Sequence, residues 1–250
     1  MYEFTDDTHF ECANMRFVLD WSDFTRRTSV AEVVILKPRS WVESYADLIL
    51  NHRVKRVLEL GVWQGGMAML LPLLSEEVEY VGVDVSEPIE GIEAIRRSNP
   101  RIAEKTRFLF RTSQDDATLP AKVSQLFNGQ PPDLIMDDAS HLYAPTKRAF
   151  ENLFGLLKPG GRYVIEDWGW AHWAGYVVPQ GWRTTLAPST LLFELTMLCA
   201  STYGLIDRIE VERAKFTVFR GSGPIPNPWS IDGAINLNGF VFEPVRFGAV

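Results

Sequence analysis

The feature of this sequence that most constrains its fold is a regular alternation, from about residue 53 onward, of short apolar runs with helical patterns. Such alternation is typical of a mostly parallel β-sheet with helices on both faces, an α/β fold. Seven runs are predicted to be strands: residues 57–60, 80–83, 107–110, 134–136, 163–165, 206–211 and 215–219. The last two lie so close together that they must pair antiparallel, because a parallel crossover needs about a dozen residues or more.

Helices are predicted between these strands. One follows the glycines near residue 65 and covers residues 67–74. The best defined covers residues 145–157, where Phe150, Leu153, Phe154 and Leu157 follow the i, i+3, i+4, i+7 spacing of a buried helix face. The sequence Pro159-Gly160-Gly161 then ends the helix and starts the next strand.

The chain of 250 residues is long enough for one large α/β domain, and we expect a single domain over residues 1–250. Residues 1–50 are expected to form an N-terminal helical cap and residues 51–220 the catalytic sheet core. Residues 221–250 are rich in Pro, Gly and Asn, which indicates an extended C-terminal tail on the domain or on a neighbouring subunit.

Composition excludes several partners. With 46% hydrophobic and 23% charged residues the chain resembles an ordinary ordered globule. A net charge of −7 argues against a nucleic-acid binder and against an anionic membrane surface as partner. Cys12 and Cys199 lack metal-site spacing, the acidic N-terminus lacks a signal peptide's apolar segment, and no run of about 18 apolar residues occurs. A cytoplasmic protein with reduced thiols is expected.

The first strand runs into a glycine loop, VLELGVWQGG at residues 57–66. Gly61 permits a tight turn, and Gly65 or Gly66 lets the backbone approach a ligand. The spacing differs from the G-x-G-x-x-G of dinucleotide-binding folds, which disfavours a Rossmann dehydrogenase. Glu59, at the end of the strand, suits a cationic ligand and would repel a pyrophosphate.

Polar residues after the next two strands extend this site. Asp84 ends the strand in YVGVDVS, where an acidic side chain can accept both hydroxyls of a ribose. The following loop, RTSQDDA, brings Gln114, Asp115 and Asp116 to the same edge. One of them could bind an adenine amino group, although each is explained about equally well as an ordinary polar loop residue.

The segments ELGVWQGG, VGVDVS, DLIMDDASH and LKPGGRYVIED resemble the motifs of the class I methyltransferases that use S-adenosylmethionine. The resemblance covers roughly residues 40–220. It implies a Rossmann-like, seven-stranded sheet with strand order 3-2-1-4-5-7-6 and strand 7 antiparallel, which agrees with the strand pattern above.

Four carboxylates are expected to meet beside the reactive end of that cofactor. Asp137 and Asp138 end the fourth strand, and Glu166 and Asp167 end the fifth. Crowded carboxylates repel one another unless a cation lies among them, and Mg²⁺ prefers oxygen ligands. Asp138, Glu166 and Asp167 are predicted to bind Mg²⁺, and Asp137 to contact the sulfonium cofactor. The alternative is a set of hydrogen-bonded strand-end carboxylates without a metal.

His141 follows Asp138 by three residues, and a neutral imidazole there could remove a proton from a substrate near pH 7. The alternative is a structural histidine. Asp138 and His141 are therefore the candidate catalytic residues. An aromatic segment follows the second acidic pair, with its candidate acceptor-binding side chains at Trp168, Trp170, Trp173, Trp182 and His172. Tryptophan faces stack well on sugar rings, but this loop could also simply pack the edge of the domain.

The combination D-x-S-H plus E-D resembles the Mg²⁺-dependent sugar O-methyltransferases, which include macrolide deoxysugar and rhamnosyl O-methyltransferases and the cephalosporin-hydroxylase-like family. In that group the corresponding residues, here Asp138, Glu166 and Asp167, hold the metal, and His141 acts as base. The sequence departs from the group at Ala139, where Gly is usual, and at Met67, where a small hydroxyl residue is usual.

The resemblance implies methyl transfer to a sugar hydroxyl of a glycoside, an oligosaccharide, or a glycosylated natural product or glycolipid, and it allows a homo-oligomer. A catechol-type phenol O-methyltransferase with similar metal geometry is the main alternative. A cofactor-binding subunit without turnover is a weaker one. The sequence does not identify the sugar or the hydroxyl.

Overall fold

The computed structural model describes residues 2–226 and 228–240, which contain two β-sheets. The first sheet has four strands: β1 (Tyr2–Phe4), β2 (His9–Cys12), β3 (Met15–Leu19) and β4 (Val33–Ile35). The second has seven: β5 (Arg56–Leu60), β6 (Glu79–Val83), β7 (Thr106–Leu109), β8 (Leu134–Asp137), β9 (Arg162–Glu166), β10 (Ile206–Val211) and β11 (Lys215–Arg220). The seven strands of this larger sheet lie where the sequence predicts them, within one residue at each end.

The order of the larger sheet is β7-β6-β5-β8-β9-β11-β10. β5, β6, β7, β8 and β9 are parallel, and β11 runs antiparallel to both β9 and β10. Counted along the chain, this is the order 3-2-1-4-5-7-6 with an antiparallel seventh strand, so the predicted fold is confirmed. The reversal between β8 and β5 places their carboxyl ends on either side of a crevice, where ligands of open α/β sheets bind.

The N-terminal segment differs from the helical cap that was expected. Residues 2–35 form the small sheet, and only α1 (Arg39–Leu50) is a helix in this segment. In β2 the side chains alternate, with Phe10 and Cys12 buried and Glu11 exposed. The strands have only three to five residues each, and such short runs give a weak period-2 signal. The expectation of a helical cap was therefore wrong for residues 2–35.

The remaining helices cover the two faces of the larger sheet. They are α2 (Gly66–Leu74), α3 (Glu90–Ser98), α4 (Pro100–Lys105), α5 (Leu119–Leu126), α6 (Tyr143–Leu153), α7 (Ser189–Ser201) and α8 (Ile231–Ala234). α6 is the helix predicted over 145–157, and its last predicted turn is a 3₁₀ segment, Phe154–Leu156. None of the helices in the described part of the chain has the length and apolar character needed to cross a membrane.

Two hydrophobic cores result, one on each face of the larger sheet. The first joins α1, α2 and the N-terminal sheet to one face, and includes Tyr45 and Val164. The second joins α5, α6 and α7 to the other face, and includes Tyr163 and Ile165. The described part of the C-terminal tail packs against this second core through Ile231 in α8; residues 241–250 of that tail lie outside the described residues.

Candidate active site

A cavity of about 1300 Å³ opens at the carboxyl ends of β5, β6, β8 and β9. Its wall contains residues from the glycine loop, from the acidic strand ends and from the aromatic segment after β9. Trp21, Phe24 and Arg27, from the loop between β3 and β4, line another side. The features that the sequence singled out separately therefore meet at one place.

The glycine loop is shaped by a close contact between β5 and β8. Gly61 has a φ of +84°, and a Cβ on it would lie 2.1 Å from the backbone oxygen of Asp138. Gly65, with a φ of +77°, precedes α2 and packs on Ile92 away from the cavity wall. Gly66 borders the cavity instead. Gly61 and Gly66 therefore bring the backbone to the cavity wall, and Gly65 provides the turn into α2.

Two acidic residues border the cavity on this side. The carboxylate of Asp84 accepts hydrogen bonds from the backbone N–H groups of Val62 (2.8 Å) and Ser86 (2.8 Å), which fixes it between two loops. Glu59 accepts a hydrogen bond from the hydroxyl of Tyr80. Burial raises the pKa of Glu59 to about 8, although Lys37 and Tyr80 oppose this shift. Both carboxylates lie where a cofactor was predicted to bind.

The three candidates for adenine recognition have different surroundings. Gln114 borders the cavity, and its Oε1 accepts from the backbone N–H of Ser140 at 2.9 Å. Asp115 also borders the cavity, but its carboxylate is bonded to Arg148 at 2.6 Å. Asp116 turns away and binds Lys122 at 2.9 Å. Gln114 is therefore the best placed of the three.

Asp137 lies behind the cavity wall. It is the last residue of β8 and is buried, and its carboxylate accepts hydrogen bonds from Gln114 Nε2 (3.1 Å) and the Tyr163 hydroxyl (3.2 Å). Burial raises the pKa of this carboxyl to about 7. The placement argues against the predicted contact with a cofactor. Asp137 instead holds Gln114, which in turn holds the loop at Ser140.

A lysine that the sequence did not single out lies among the predicted metal ligands. Lys37, between β4 and α1, places its Nζ 2.6 Å from Asp138 Oδ2, and it also donates to Glu166 Oε2. The other oxygen of Glu166 accepts from the hydroxyl of Tyr45 in α1. Both oxygens of Glu166 are therefore bound by donors of the chain itself.

Lys37 and the surrounding carboxylates shift one another's pKa values. Burial opposes the charge of Lys37, but the carboxylates of Asp138, Glu166 and Glu59 outweigh it and raise the pKa of the ammonium. Burial, followed by repulsion from Asp138, raises the pKa of Glu166, and Lys37 opposes that rise. An isolated lysine of this kind has no pattern in the sequence; only the fold brings it to the strand ends.

Three possible metal-binding side chains lie close together in the cavity. Single ligand atoms of Asp138, His141 and Asp167 all lie within 4.8 Å of one another, and Asp138 Oδ1 is 3.8 Å from His141 Nε2. Burial raises the pKa of Asp167, which has a φ of +52° that turns it out of the line of β9. Of the three predicted metal ligands, Asp138 and Asp167 fit a divalent cation, and Glu166 is engaged elsewhere.

His141 is held in an unusual conformation beside these carboxylates. Its φ is +53°, and its backbone oxygen accepts a hydrogen bond of 2.8 Å from Trp170 Nε1. The residue borders the cavity. The imidazole therefore lies at the cavity wall, with Nε2 3.8 Å from Asp138 Oδ1.

The aromatic segment divides into two groups. Trp170, Trp173 and Trp182 border the cavity, and the rings of Trp170 and Trp182 lie 5.0 Å apart. Trp168 and His172 do not fit the predicted contact with acceptor, because Trp168 Nε1 binds the oxygen of Glu212 at 3.0 Å and His172 Nε2 binds Ser189 Oγ at 3.0 Å. Across the cavity lie two aromatic residues that sequence reasoning missed, Trp21 and Phe24.

Part of the chain is similar to known methyltransferases. A family model described as a methyltransferase domain matches residues 58–168. The L-olivosyl-oleandolide 3-O-methyltransferase of Streptomyces antibioticus is 31% identical over 160 residues, which are 63% of this chain and 37% of that protein. The mycinamicin VI 2''-O-methyltransferase of Micromonospora griseorubida is 29% identical over 128 residues, 48% of this chain and 29% of that protein.

A solved structure is also similar. The MycE methyltransferase from the mycinamycin biosynthetic pathway, in complex with Mg, SAH and mycinamycin VI, has a TM-score of 0.54 and 26% identity. The match covers 76% of this chain and 51% of that structure. The chain thus spans about half or less of the length of these relatives. Residues 58–168 nevertheless match a methyltransferase domain, and the fold agrees with that match.

Proposed function

We propose that this protein transfers a methyl group from S-adenosylmethionine to a sugar hydroxyl of a glycoside, an oligosaccharide, or a glycosylated natural product or glycolipid, with Mg²⁺ bound. The observation that carries the proposal is the single cavity in which Glu59, Gly61 and Asp84 lie beside the group of Asp138, His141 and Asp167. The relatives named above, which act on glycosylated compounds by name, support the choice of acceptor.

The cofactor would lie along the glycine loop. Gly61, which has no Cβ to meet the backbone of Asp138, lets the loop turn at the cavity wall, and Asp84 would accept hydrogen bonds from the ribose hydroxyls. Glu59 offers a carboxylate to the positive charges of the cofactor. Gln114, fixed by Asp137 and Ser140, is placed for the adenine amino group.

Asp138 and Asp167 would hold Mg²⁺, which prefers oxygen ligands and usually keeps several waters or substrate oxygens. When bound, the metal supplies Lewis-acid stabilisation to a hydroxyl that is losing its proton. His141 is better used as a base than as a ligand, because an imidazole coordinated through Nε2 could not accept a proton there. Asp138, whose Oδ1 lies 3.8 Å from Nε2, is close enough to stabilise the charged form of the ring.

In the reaction, the neutral imidazole of His141 takes the hydroxyl proton of the acceptor. The acceptor oxygen attacks the methyl carbon in line with the departing sulfur, so that an O–C bond forms as the S–C bond breaks. The products are the methyl ether and S-adenosylhomocysteine, and the imidazolium returns its proton to solvent. Most of the acceleration would come from positioning and from preorganised charges.

The acceptor would lie against the aromatic wall formed by Trp170, Trp173 and Trp182. These rings offer apolar faces to the C–H faces of a sugar. The same wall also suits a planar catechol, which keeps a phenol O-methyltransferase as the second candidate.

The test is methyl transfer from labelled S-adenosylmethionine to a panel of rhamnosides, mannosides, other glycosides and catechols, each with Mg²⁺ and with chelator. We expect chelator-sensitive methylation of a glycoside. Methylation of catechols alone would move the protein to the second candidate. Glycoside methylation that is indifferent to chelator would keep the reaction and remove the metal from it.

A further inference from the structure

We infer that Lys37 is a resident cation of the acidic strand ends and that Glu166 is its counter-ion, so that Glu166 positions Lys37 and does not bind the metal. The metal site is then confined to Asp138 and Asp167, with His141 beside them. The inference rests on the proposed function for the presence of a metal, but the pairing of Lys37 with Glu166 stands apart from it.

The direction of each side chain follows from the register of β9. Side chains alternate along a strand, and Val164 belongs to the core under α1 and α2, whereas Tyr163 and Ile165 belong to the opposite core. Glu166 therefore points to the face of Val164, where Tyr45 of α1 donates to it. Asp167 follows the strand with a positive φ and borders the cavity.

Each oxygen of Glu166 already accepts a hydrogen bond from the chain itself. Its side chain is 1% exposed, that of Lys37 is 4% exposed, and the two are directly bonded. Lys37 also binds Asp138 Oδ2 at 2.6 Å, and Asp138 Oδ1 remains on the side of His141. The ammonium of Lys37 thus orients the carboxylate of Asp138, which serves the metal. It also binds the carboxylate of Glu166, which does not.

A buried ammonium in this place has two consequences. It compensates the charge of Glu166, which would otherwise be buried without a partner. It also repels a divalent cation bound to Asp138, because both positive charges act on the same carboxylate through a medium of low dielectric constant. Lys37 should therefore weaken metal binding while it keeps the site folded.

The test uses the whole chain and Mn²⁺, a paramagnetic substitute for Mg²⁺, titrated by electron paramagnetic resonance. Lys37→Met/Glu166→Gln removes the ion pair without changing the net charge and leaves Tyr45 a partner. We expect this double variant to bind Mn²⁺ as well as the wild type does. Lys37→Met alone should bind Mn²⁺ more tightly by about tenfold or more. Asp167→Asn, which loses a ligand, should bind it at least about tenfold more weakly.

A second measurement tests the ion pair of Lys37 and Glu166 in the absence of metal. Denaturant unfolding in chelator should show lower midpoints for Lys37→Met and for Glu166→Gln, since each leaves a buried charge unpaired. The double variant should unfold at a higher midpoint than either single variant. Additive losses in the double variant would refute the pairing.

The outcomes separate this inference from the proposed function. If the double variant loses Mn²⁺ as far as Asp167→Asn does, Glu166 is a ligand and the inference is overturned, while the metal stays in the proposed function. If the wild type binds no Mn²⁺, the metal part of the proposed function and the ligand assignment both fail. The unfolding midpoints then still decide whether Lys37 and Glu166 are partners.

Discussion

The indole Nε1 of Trp170 donates a hydrogen bond of 2.8 Å to the backbone oxygen of His141. Trp170 is buried and lies in the aromatic segment after β9, and His141 lies in the loop after β8. The bond therefore joins the wall proposed to bind the acceptor to the residue proposed to take its proton. It also supports a backbone conformation, with a φ of +53°, that is uncommon for residues other than glycine.

Loss of this bond should slow turnover without affecting cofactor binding. Trp170→Phe keeps an aromatic ring but leaves the oxygen of His141 without its donor, which costs about 1–3 kcal/mol for a buried group. We expect kcat to fall by about tenfold or more, with S-adenosylmethionine affinity by calorimetry unchanged. Trp168→Phe is the matched control, because it loses a similar indole bond, to Glu212, that does not involve His141. Equal losses of kcat in both variants would contradict the prediction.

Replacement of His141 should remove the base. His141→Asn suits the positive φ, since asparagine tolerates that region better than most residues. We expect kcat to fall by about 10²–10⁴-fold, the usual contribution of general base catalysis, with near-normal cofactor affinity. His172→Asn, which changes a histidine bonded to Ser189, is the control and should keep most activity. Retained turnover in His141→Asn would exclude it as base.

Gly61 should be irreplaceable for two separable reasons. Gly61→Ala puts a Cβ at a φ of +84° and within 2.1 Å of the oxygen of Asp138. Gly129→Ala puts one at a similar φ of +75° with no atom of the described residues within 4 Å. The control should lose about 1–2 kcal/mol of stability from backbone strain alone. Gly61→Ala should lose clearly more, measured by denaturant unfolding, together with S-adenosylmethionine binding. Equal losses in the two variants would show that the close contact with Asp138 is unimportant.

Much of the fold could be predicted because its signals are local. The seven strands are apolar runs bounded by loops, and a short link forces β10 and β11 to pair antiparallel. The positions of Glu59 and Asp84 at the cavity could also be predicted, because both residues lie at the ends of strands. Strand alternation also indicates the direction of Asp137, because Ile135, two residues earlier in β8, faces the second core. Asp137 and Asp138 are the same residue type, so only this alternation, followed to the end of β8, distinguishes them.

The rest depended on contacts between distant parts of the chain. Lys37 and Glu166 are far apart in sequence, and nothing near Lys37 marks it as the partner of a strand-end carboxylate. The directions of Trp168 and His172 were equally hidden, because loop residues have no periodicity to say which side faces a cavity. The sequence therefore predicted which segments meet at the cavity, and tertiary packing decided which side chains face into it.

Cofactor affinity should depend on pH through Glu59. Burial raises the pKa of this carboxyl to about 8 in the protein without ligand. A cationic ligand favours the ionised form, so at neutral pH binding must first release a proton. Affinity for S-adenosylmethionine should therefore fall as pH drops below about 8, by at most tenfold per pH unit for one proton, and level off above it.

Calorimetry over a pH series measures this dependence directly. Titrations at neutral pH in buffers of different ionisation enthalpy should also show close to one proton released per cofactor bound by the wild type. In Glu59→Gln, which keeps the shape of the side chain and cannot ionise, binding should be weaker and its pH dependence should flatten. Glu77→Gln, on the surface beside Lys55, is the control and should retain the slope. A wild type whose affinity does not change with pH would show that Glu59 is not the group that meets the cofactor's charge.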